Sequence, residues 1–134
     1  MTLIVCLDDG NGMLFNNRRQ SRDAVLCQRI LEISAGKRLR MNAYSAKLFE
    51  NGQYVLSADP VGEAEAEDYV FAENLDIVAA LEKTNRVVVY RWNRMYPSDV
   101  KFPVESLSAG FQKESVFEFS GKSHDLITEE LYLR

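Results

Sequence analysis

The chain reads as an α/β protein of three layers. Helices lie on both faces of a mostly parallel central sheet, and an antiparallel pair closes its C-terminal edge. Three observations carry that reading. Two apolar, β-rich runs, Thr2–Leu7 and Arg86–Tyr90, lack polar alternation, the pattern of strands covered on both faces. Between them strand-like and helix-like segments alternate, an order that builds parallel sheets. After them come Val116–Phe119 and Ile127–Leu133, close enough in sequence to favour antiparallel pairing.

In chain order, the first run ends at Asp8-Asp9-Gly10, and residues 8–17 form a loop with a turn at Asn11-Gly12 and Met13, Leu14 and Phe15 as an apolar plug. Ser21 is placed to cap a helix over Arg22–Ala35, with Asp23 in its first turn. Leu26, Ile30 and Ile33 fall on one face, and Gly36 follows the end. Lys37–Asn42 is a second strand running into a short helix at Ser45–Phe49, which Asn51-Gly52 closes before a strand at Gln53–Ser57. Residues 59–67 are an acidic, solvated loop, and Tyr69–Ala72 is a short strand. Asn74 or Asp76 caps a helix over Ile77–Lys83 that turns Val78 and Leu81 inward. Arg91–Pro103 is polar and ring-rich. For Ile127–Leu133 two readings stay open: Leu131 and Leu133 alternate as in a strand, whereas Ser123 ahead of His124-Asp125 can cap a helix.

Composition narrows the function classes. A chain of 134 residues with 46% hydrophobic side chains can bury a core as one domain, residues 1–134. Sixteen Lys and Arg against 20 Asp and Glu give a net charge of −4, which argues against disorder and against nucleic acid as the main partner. No apolar stretch approaches the ~20 residues of a membrane span, and Met1–Leu7 is too short, without a basic leader, for a signal peptide. Cys6 and Cys27 make neither a disulfide framework nor a CxxC pair; they read as small apolar residues of a cytoplasmic protein. With His124 the sole histidine, no His-rich metal site can form, and the sequence specifies no cofactor.

The layout resembles the dihydrofolate reductase fold over most of the chain. The opening strand with its long loop is similar. So is the second strand entering a helix at Arg40-Met41-Asn42-Ala43-Tyr44-Ser45, where that family has a Met-Gly-Arg-x-Thr motif against its cofactor; so are the helix with Ala79-Ala80-Leu81 and the strand Arg86–Tyr90. Two departures limit what the resemblance implies. The family follows its late apolar strand with Gly-Gly, whose bare backbone approaches a nicotinamide cofactor, but this chain has Arg91-Trp92-Asn93-Arg94 there. The family's Trp-x-x-Pro substrate-loop segment is replaced by Phe15-Asn16-Asn17-Arg18-Arg19. The resemblance therefore implies the scaffold rather than hydride transfer. The chain is also similar to short bacterial proteins of unestablished function in Phe-Asn-x-Arg-Arg-x-Ser-x-Asp, Arg-Trp-Asn-Arg-x-Tyr-Pro-x-Asp and Gly-x-Ser-His. Some of those carry the label ribonuclease Z, which fails on chemistry: a two-zinc phosphodiesterase needs several converging histidines.

Four constellations can carry chemistry. Arg18, Arg19 and Arg22 stand beside a helix start, as an anion site or as a solvated basic turn paired with Asp8, Asp9 or Asp23. Arg91 and Arg94 can grip phosphate or carboxylate while Trp92 and Tyr96 offer flat faces to a ring; alternatively the rings pack the sheet end and the arginines pair locally. His124 is the one evident proton donor near neutrality, although Ser123-His124-Asp125 as sequence neighbours cannot form a triad. Gly121-Lys122-Ser123 lacks the upstream glycine of a phosphate loop. Asp8 and Asp9 end the first strand, where Mg²⁺ ligands or a substrate-protonating acid can sit, or else form a strand-ending turn with Gly10. If Thr2–Leu7 and Arg86–Tyr90 are parallel neighbours, these segments meet in one crevice at the strand ends. The expectation is a small anionic, nucleotide-like ligand held by Arg18, Arg19, Arg91, Trp92, Arg94, Tyr96, Asp8 and Asp9, with His124 for any catalysis. The alternative is a protein-interaction module or homodimer.

Overall fold

A computed structural model describes all residues, 1–134. Ten strands and five helices follow in the order β1 (Thr2–Leu7), β2 (Gly12–Phe15), β3 (Arg18–Arg19), α1 (Ala24–Ile33), β4 (Leu39–Met41), α2 (Ala43–Ala46), β5 (Val55–Leu56), α3 (Pro60–Glu63), β6 (Tyr69–Phe71), α4 (Ile77–Glu82), β7 (Arg86–Arg91), β8 (Val100–Lys101), α5 (Val104–Gly110), β9 (Gln112–Phe119) and β10 (Ile127–Leu133). The main sheet runs β5-β4-β6-β1-β7-β10-β9. Its first five strands are parallel, and β10 and β9 close it antiparallel. A small sheet, β3-β2-β8, sits beside it.

The uninterrupted apolar runs have the physical cause expected of them. Leu3, Val5, Leu7, Val87 and Val89 point to one face, where α4 and α5 deliver Ile77, Ala80, Leu81 and Leu107. Ile4, Val88 and Tyr90 point to the other, under Leu26 and Ile30 of α1. β1 and β7 are parallel neighbours, paired from Thr2 with Arg86 to Leu7 with Arg91, so their polar sequels emerge at the same edge.

Several expectations need correction. Residues 8–17 are not all loop: Asn16 and Asn17 have φ of 51° and 62°, the left-handed pair of a tight primed hairpin turn, and fold β2 onto β3. Helix α1 is capped by Asp23, not Ser21; the Asp23 carboxylate accepts from the Val25 and Leu26 N–H groups. The second helix starts at Ala43 with Asn42 as its cap, ahead of Ser45. The acidic loop contains α3, begun by Asp59 and Pro60. Asp76 caps α4, which turns Ile77, Ala80 and Leu81 inward and leaves Val78 exposed. Helix α5 was not foreseen, since it has no side-chain cap. Ile127–Leu133 is a strand, held on both sides by β7 and β9, and β9 extends back to Gln112.

Candidate functional site

The register of β1 and β7 puts Asp8 and Trp92 side by side: the Trp92 N–H donates to the Leu7 carbonyl at 3.0 Å and the Asp9 N–H to the Arg94 carbonyl at 2.9 Å. Asp8 is buried. One carboxylate oxygen accepts from the N–H of Gly10 (2.9 Å) and Gly12 (2.7 Å), the other from Gln20 Nε2 (2.9 Å) and the Tyr96 N–H (3.1 Å). Burial works to raise its pKa, but the donors to its anion outweigh that and hold it below the ordinary carboxylate value. Asp8 thus fastens the β1–β2 loop, the approach to α1 and the segment after β7 to one point.

The segment after β7 divides its side chains. Arg91 reaches Glu130 Oε1 at 3.1 Å and Asn11 Oδ1 at 2.6 Å, bracing β7 against β10 and the first loop. Asn93 takes a positive φ of 60° and donates to the Leu126 carbonyl and Thr128 Oγ1. Arg94 is exposed and forms no ion pair, and Asp9 is exposed beside it. Trp92 is buried and stacks on the His124 imidazole, with centroids 4.5 Å apart and planes at 27°.

His124, on the β9–β10 turn, ties that turn to the approach to α1 and to the segment after β7. Its Nδ1 lies 3.1 Å from Asp23 Oδ2, and its Nε2 lies 3.1 Å from Ser21 Oγ and 2.9 Å from the Tyr96 hydroxyl. Asp23 also accepts from the N–H groups of Lys122 (2.9 Å) and Ser123 (2.7 Å). Burial opposes ionisation of Asp23, yet those N–H groups and His124 bring its pKa down to about 2. The β9–β10 turn can wrap this carboxylate only with glycine at 121, where a Cβ would come within 2.5 Å of Asp23 Oδ2 and 2.9 Å of the His124 carbonyl.

Arg18 and Arg19, on β3, behave differently from each other. Arg19 forms a two-pronged pair with Glu73 at 2.8 and 2.9 Å and lies over the Tyr44 ring at 4.2 Å. Arg18 is exposed and has no ion pair.

Two grooves flank residues 20–23. One, of about 500 Å³, is lined by Phe15, Asn16, Arg18, Arg19, Gln20, Tyr96 and Pro97. The other, of about 540 Å³, lies between α1, α2 and the β9–β10 turn and holds the cations Arg22, Lys47 and Lys122; none of the three makes an ion pair. The structure thus gathers Arg18, Arg19 and Tyr96 at one groove. It sets Asp8, Trp92 and His124 in the packed layer behind, and leaves Arg91 and Arg94 outside both grooves. Sequence reasoning missed Ser21 and Asp23 as partners of His124, and Lys47 and Lys122 as groove cations. The first pair lies about a hundred residues from His124, beyond any local spacing rule.

This arrangement defines a class: the chain has a dihydrofolate reductase-like fold, with a parallel sheet, an antiparallel C-terminal edge, and loops gathered at the strand ends. Among solved structures, it is similar to dihydrofolate reductase from Enterococcus faecalis complexed with NADP(H) and RAB-propyl. The TM-score is 0.70 at 12% identity, over 99% of this chain and 95% of that one. No family model matches the sequence, and no curated protein matches it. No helix is long and apolar enough to cross a membrane.

Proposed function

We propose that this protein binds a small phosphorylated or carboxylated ligand with a ring, nucleotide-like in character, at the C-terminal edge of its parallel strands. The observation that carries this reading is the groove in which the uncommitted Arg18 guanidinium stands with the Phe15 and Tyr96 rings. A cation beside flat apolar faces is the pairing that an anionic, ring-bearing molecule needs. Arg19, locked to Glu73, fixes the shape of the hairpin. Asp8 holds the Tyr96 segment through its N–H, Arg91 braces the end of β7 against β10 and the first loop, and Arg94 and Asp9 stand exposed outside the groove. The similar reductase is described as carrying NADP(H), which is consistent with a ligand of this kind, although Trp92 and His124 occupy the end of the sheet here.

The test is a thermal-shift panel of nucleoside mono- and diphosphates and aromatic carboxylates. The expected result is stabilisation by at least one class that disappears in Arg18→Ala. A panel without any response, or a response that Arg18→Ala leaves intact, refutes the reading.

A second reading, a homodimer, is favoured by β9. This strand is an open edge, exposed along nearly its whole length, with Val116 55% and Phe117 48% accessible, and such edges pair with other chains unless protected. The register against β10 skips Glu114, so Lys113, Val116 and Glu118 share a face. A twofold axis at Val116 would set Lys113 of each copy opposite Glu118 of the other. Sedimentation equilibrium tests this: a dimer that Val116→Lys dissociates supports it, and a monomer at all concentrations rejects it.

A further inference from the structure

Beyond ligand binding, we propose that Ser21 is a nucleophile activated by His124 and Asp23, giving this fold an acyl-transfer site that hydrolyses small esters. The geometry is that of a nucleophile, a base and an orienting acid brought together from two segments, Ser21 and Asp23 from the approach to α1 and His124 from the β9–β10 turn. Ser21 Oγ lies 3.1 Å from His124 Nε2, and His124 Nδ1 lies 3.1 Å from Asp23 Oδ2. Ionised Asp23, held by backbone N–H groups, accepts a hydrogen bond from Nδ1–H and leaves the Nε2 lone pair facing the Ser21 hydroxyl at 3.1 Å and the Tyr96 hydroxyl at 2.9 Å. The Trp92 ring stacked on the imidazole and the N–H groups that clamp Asp23 fix both partners.

The serine hydroxyl has no structural task that would explain this placement. It does not cap α1, since Asp23 does, and its side-chain bonds go to His124 and Tyr96 alone. Ser21 is half-buried and itself lines only a small cavity with Cys6, Met13 and Trp92, while its chain neighbours open on the grooves, Gln20 on one and Arg22 and Asp23 on the other. The Ser21 and Arg22 N–H groups take no partner within the protein. The N–H following a nucleophile is a common donor to the oxyanion of acyl transfer.

The step balances without a further co-reactant. Ser21 Oγ adds to the ester carbonyl as its proton passes to His124 Nε2. The carbon–oxygen bond to the alcohol breaks, and the alcohol departs with that proton. Water then attacks the acyl-serine with His124 as base, releasing a carboxylic acid and restoring the hydroxyl.

The test uses the full chain with a phosphonofluoridate probe and, separately, p-nitrophenyl acetate. The expected result is a single phosphonyl adduct on Ser21 and an initial burst of p-nitrophenolate, both absent from Ser21→Ala, whose melting temperature matches the wild type. A folded His124→Gln should label roughly a hundredfold more slowly, the scale of a positioned base. If His124→Gln does not fold, Ser21→Cys takes its place: its new thiol should alkylate with iodoacetamide at least about tenfold faster than free cysteine, as a base-paired thiolate does. No adduct on folded wild-type protein, an adduct elsewhere, a burst that survives Ser21→Ala, undiminished labelling of folded His124→Gln, or a Ser21→Cys thiol no faster than free cysteine overturns the proposal.

Discussion

The two edges of the parallel sheet bury aspartates, one where the strands begin and two where they end, and stabilise them by different means. At the edge where the parallel strands begin, Asp68 precedes β6 and is answered by side chains: Arg38 Nε at 2.8 Å and Arg40 Nε at 2.7 Å, with the Glu65 N–H at 3.0 Å. Neighbouring cations are used up in the same way, Arg38 also on Glu65 and Lys37 on Glu67. At the edge where the strands end, Asp8 and Asp23 are answered mainly by backbone N–H groups, with Gln20 and His124. Arginine meets the buried aspartate at the first edge but not at the second, where Arg19 and Arg91 pair with glutamates instead, Glu73 and Glu130. The second edge keeps Arg18, Arg22, Arg94 and Lys122 exposed and without carboxylate partners in a chain whose net charge is −4, whereas at the first edge Arg86 is half-buried and Arg134 donates to the Leu81 and Thr84 carbonyls. Exposed, unpaired cations at strand ends, in loops cross-braced by buried carboxylates, are the setting of a ligand site.

The contrast can be broken by mutation, and the largest effect is expected at the first edge. Asp68→Ala strands Arg40, whose side chain is only 12% exposed, and should cost about 3 kcal/mol in urea denaturation, the scale of a buried pair left half-made. A cost below about 1 kcal/mol would show that the arginines find water instead. Asp23→Ala should follow at about 2 kcal/mol, combining a lost helix cap with unpaired N–H groups in the β9–β10 turn. Unlike the Asp68 effect, it should change little with added salt, because dipoles rather than ion pairs are lost; equal salt dependence at the two sites would remove the distinction.

Acid probes both edges together. Asp68, despite burial, is brought down to about 2 by Arg40, the Glu65 N–H and Arg38, and Asp23 lies at about 2 as well. Each ionises more readily folded than unfolded, where the value is about 3.9. Their stabilising contribution is therefore complete above roughly pH 4 and is lost as pH falls toward 2. Urea midpoints measured across that range should decline in wild type and decline less in Asp68→Asn. Parallel declines would mean that Asp68 does not contribute.

The smallest stability effect belongs to the unpaired cations. Arg18→Ala and Arg22→Ala touch no partner and should leave stability within about 0.5 kcal/mol. A larger loss in either would show that the residue carries structure rather than a vacant binding role.

The sequence shows the sheet better than it shows the site. That β1 and β7 are central strands is legible because unbroken apolar runs must be covered on both faces, and burial of Leu3, Ile4, Val88 and Val89 bears that out; that they are parallel neighbours is only a condition of the sequence reading, and the pairing of Thr2–Leu7 with Arg86–Arg91 meets it. Strands of two residues such as β3 and β8 have no period to read, and α5 carries no cap to announce it. Val78 looks inward by composition, but the α4 face set by Ile77, Ala80 and Leu81 turns it to solvent. At the site, Asp23 reads as a first-turn residue and His124 as a loop residue beside Ser123 and Asp125. Their true partnership exists only once α1 and the β9–β10 turn are brought together across the sheet end. Trp92 reads as a flat face for a ring, and the ring it covers is the chain's own imidazole.

The comparison between the edges is tested most directly by following backbone amide resonances during titration with a nucleoside monophosphate. The account predicts saturable shifts at Phe15–Ser21 and Tyr96, with Arg38, Arg40 and Asp68 unmoved. Shifts centred on Asp68, or a spectrum unchanged at millimolar ligand, would contradict it.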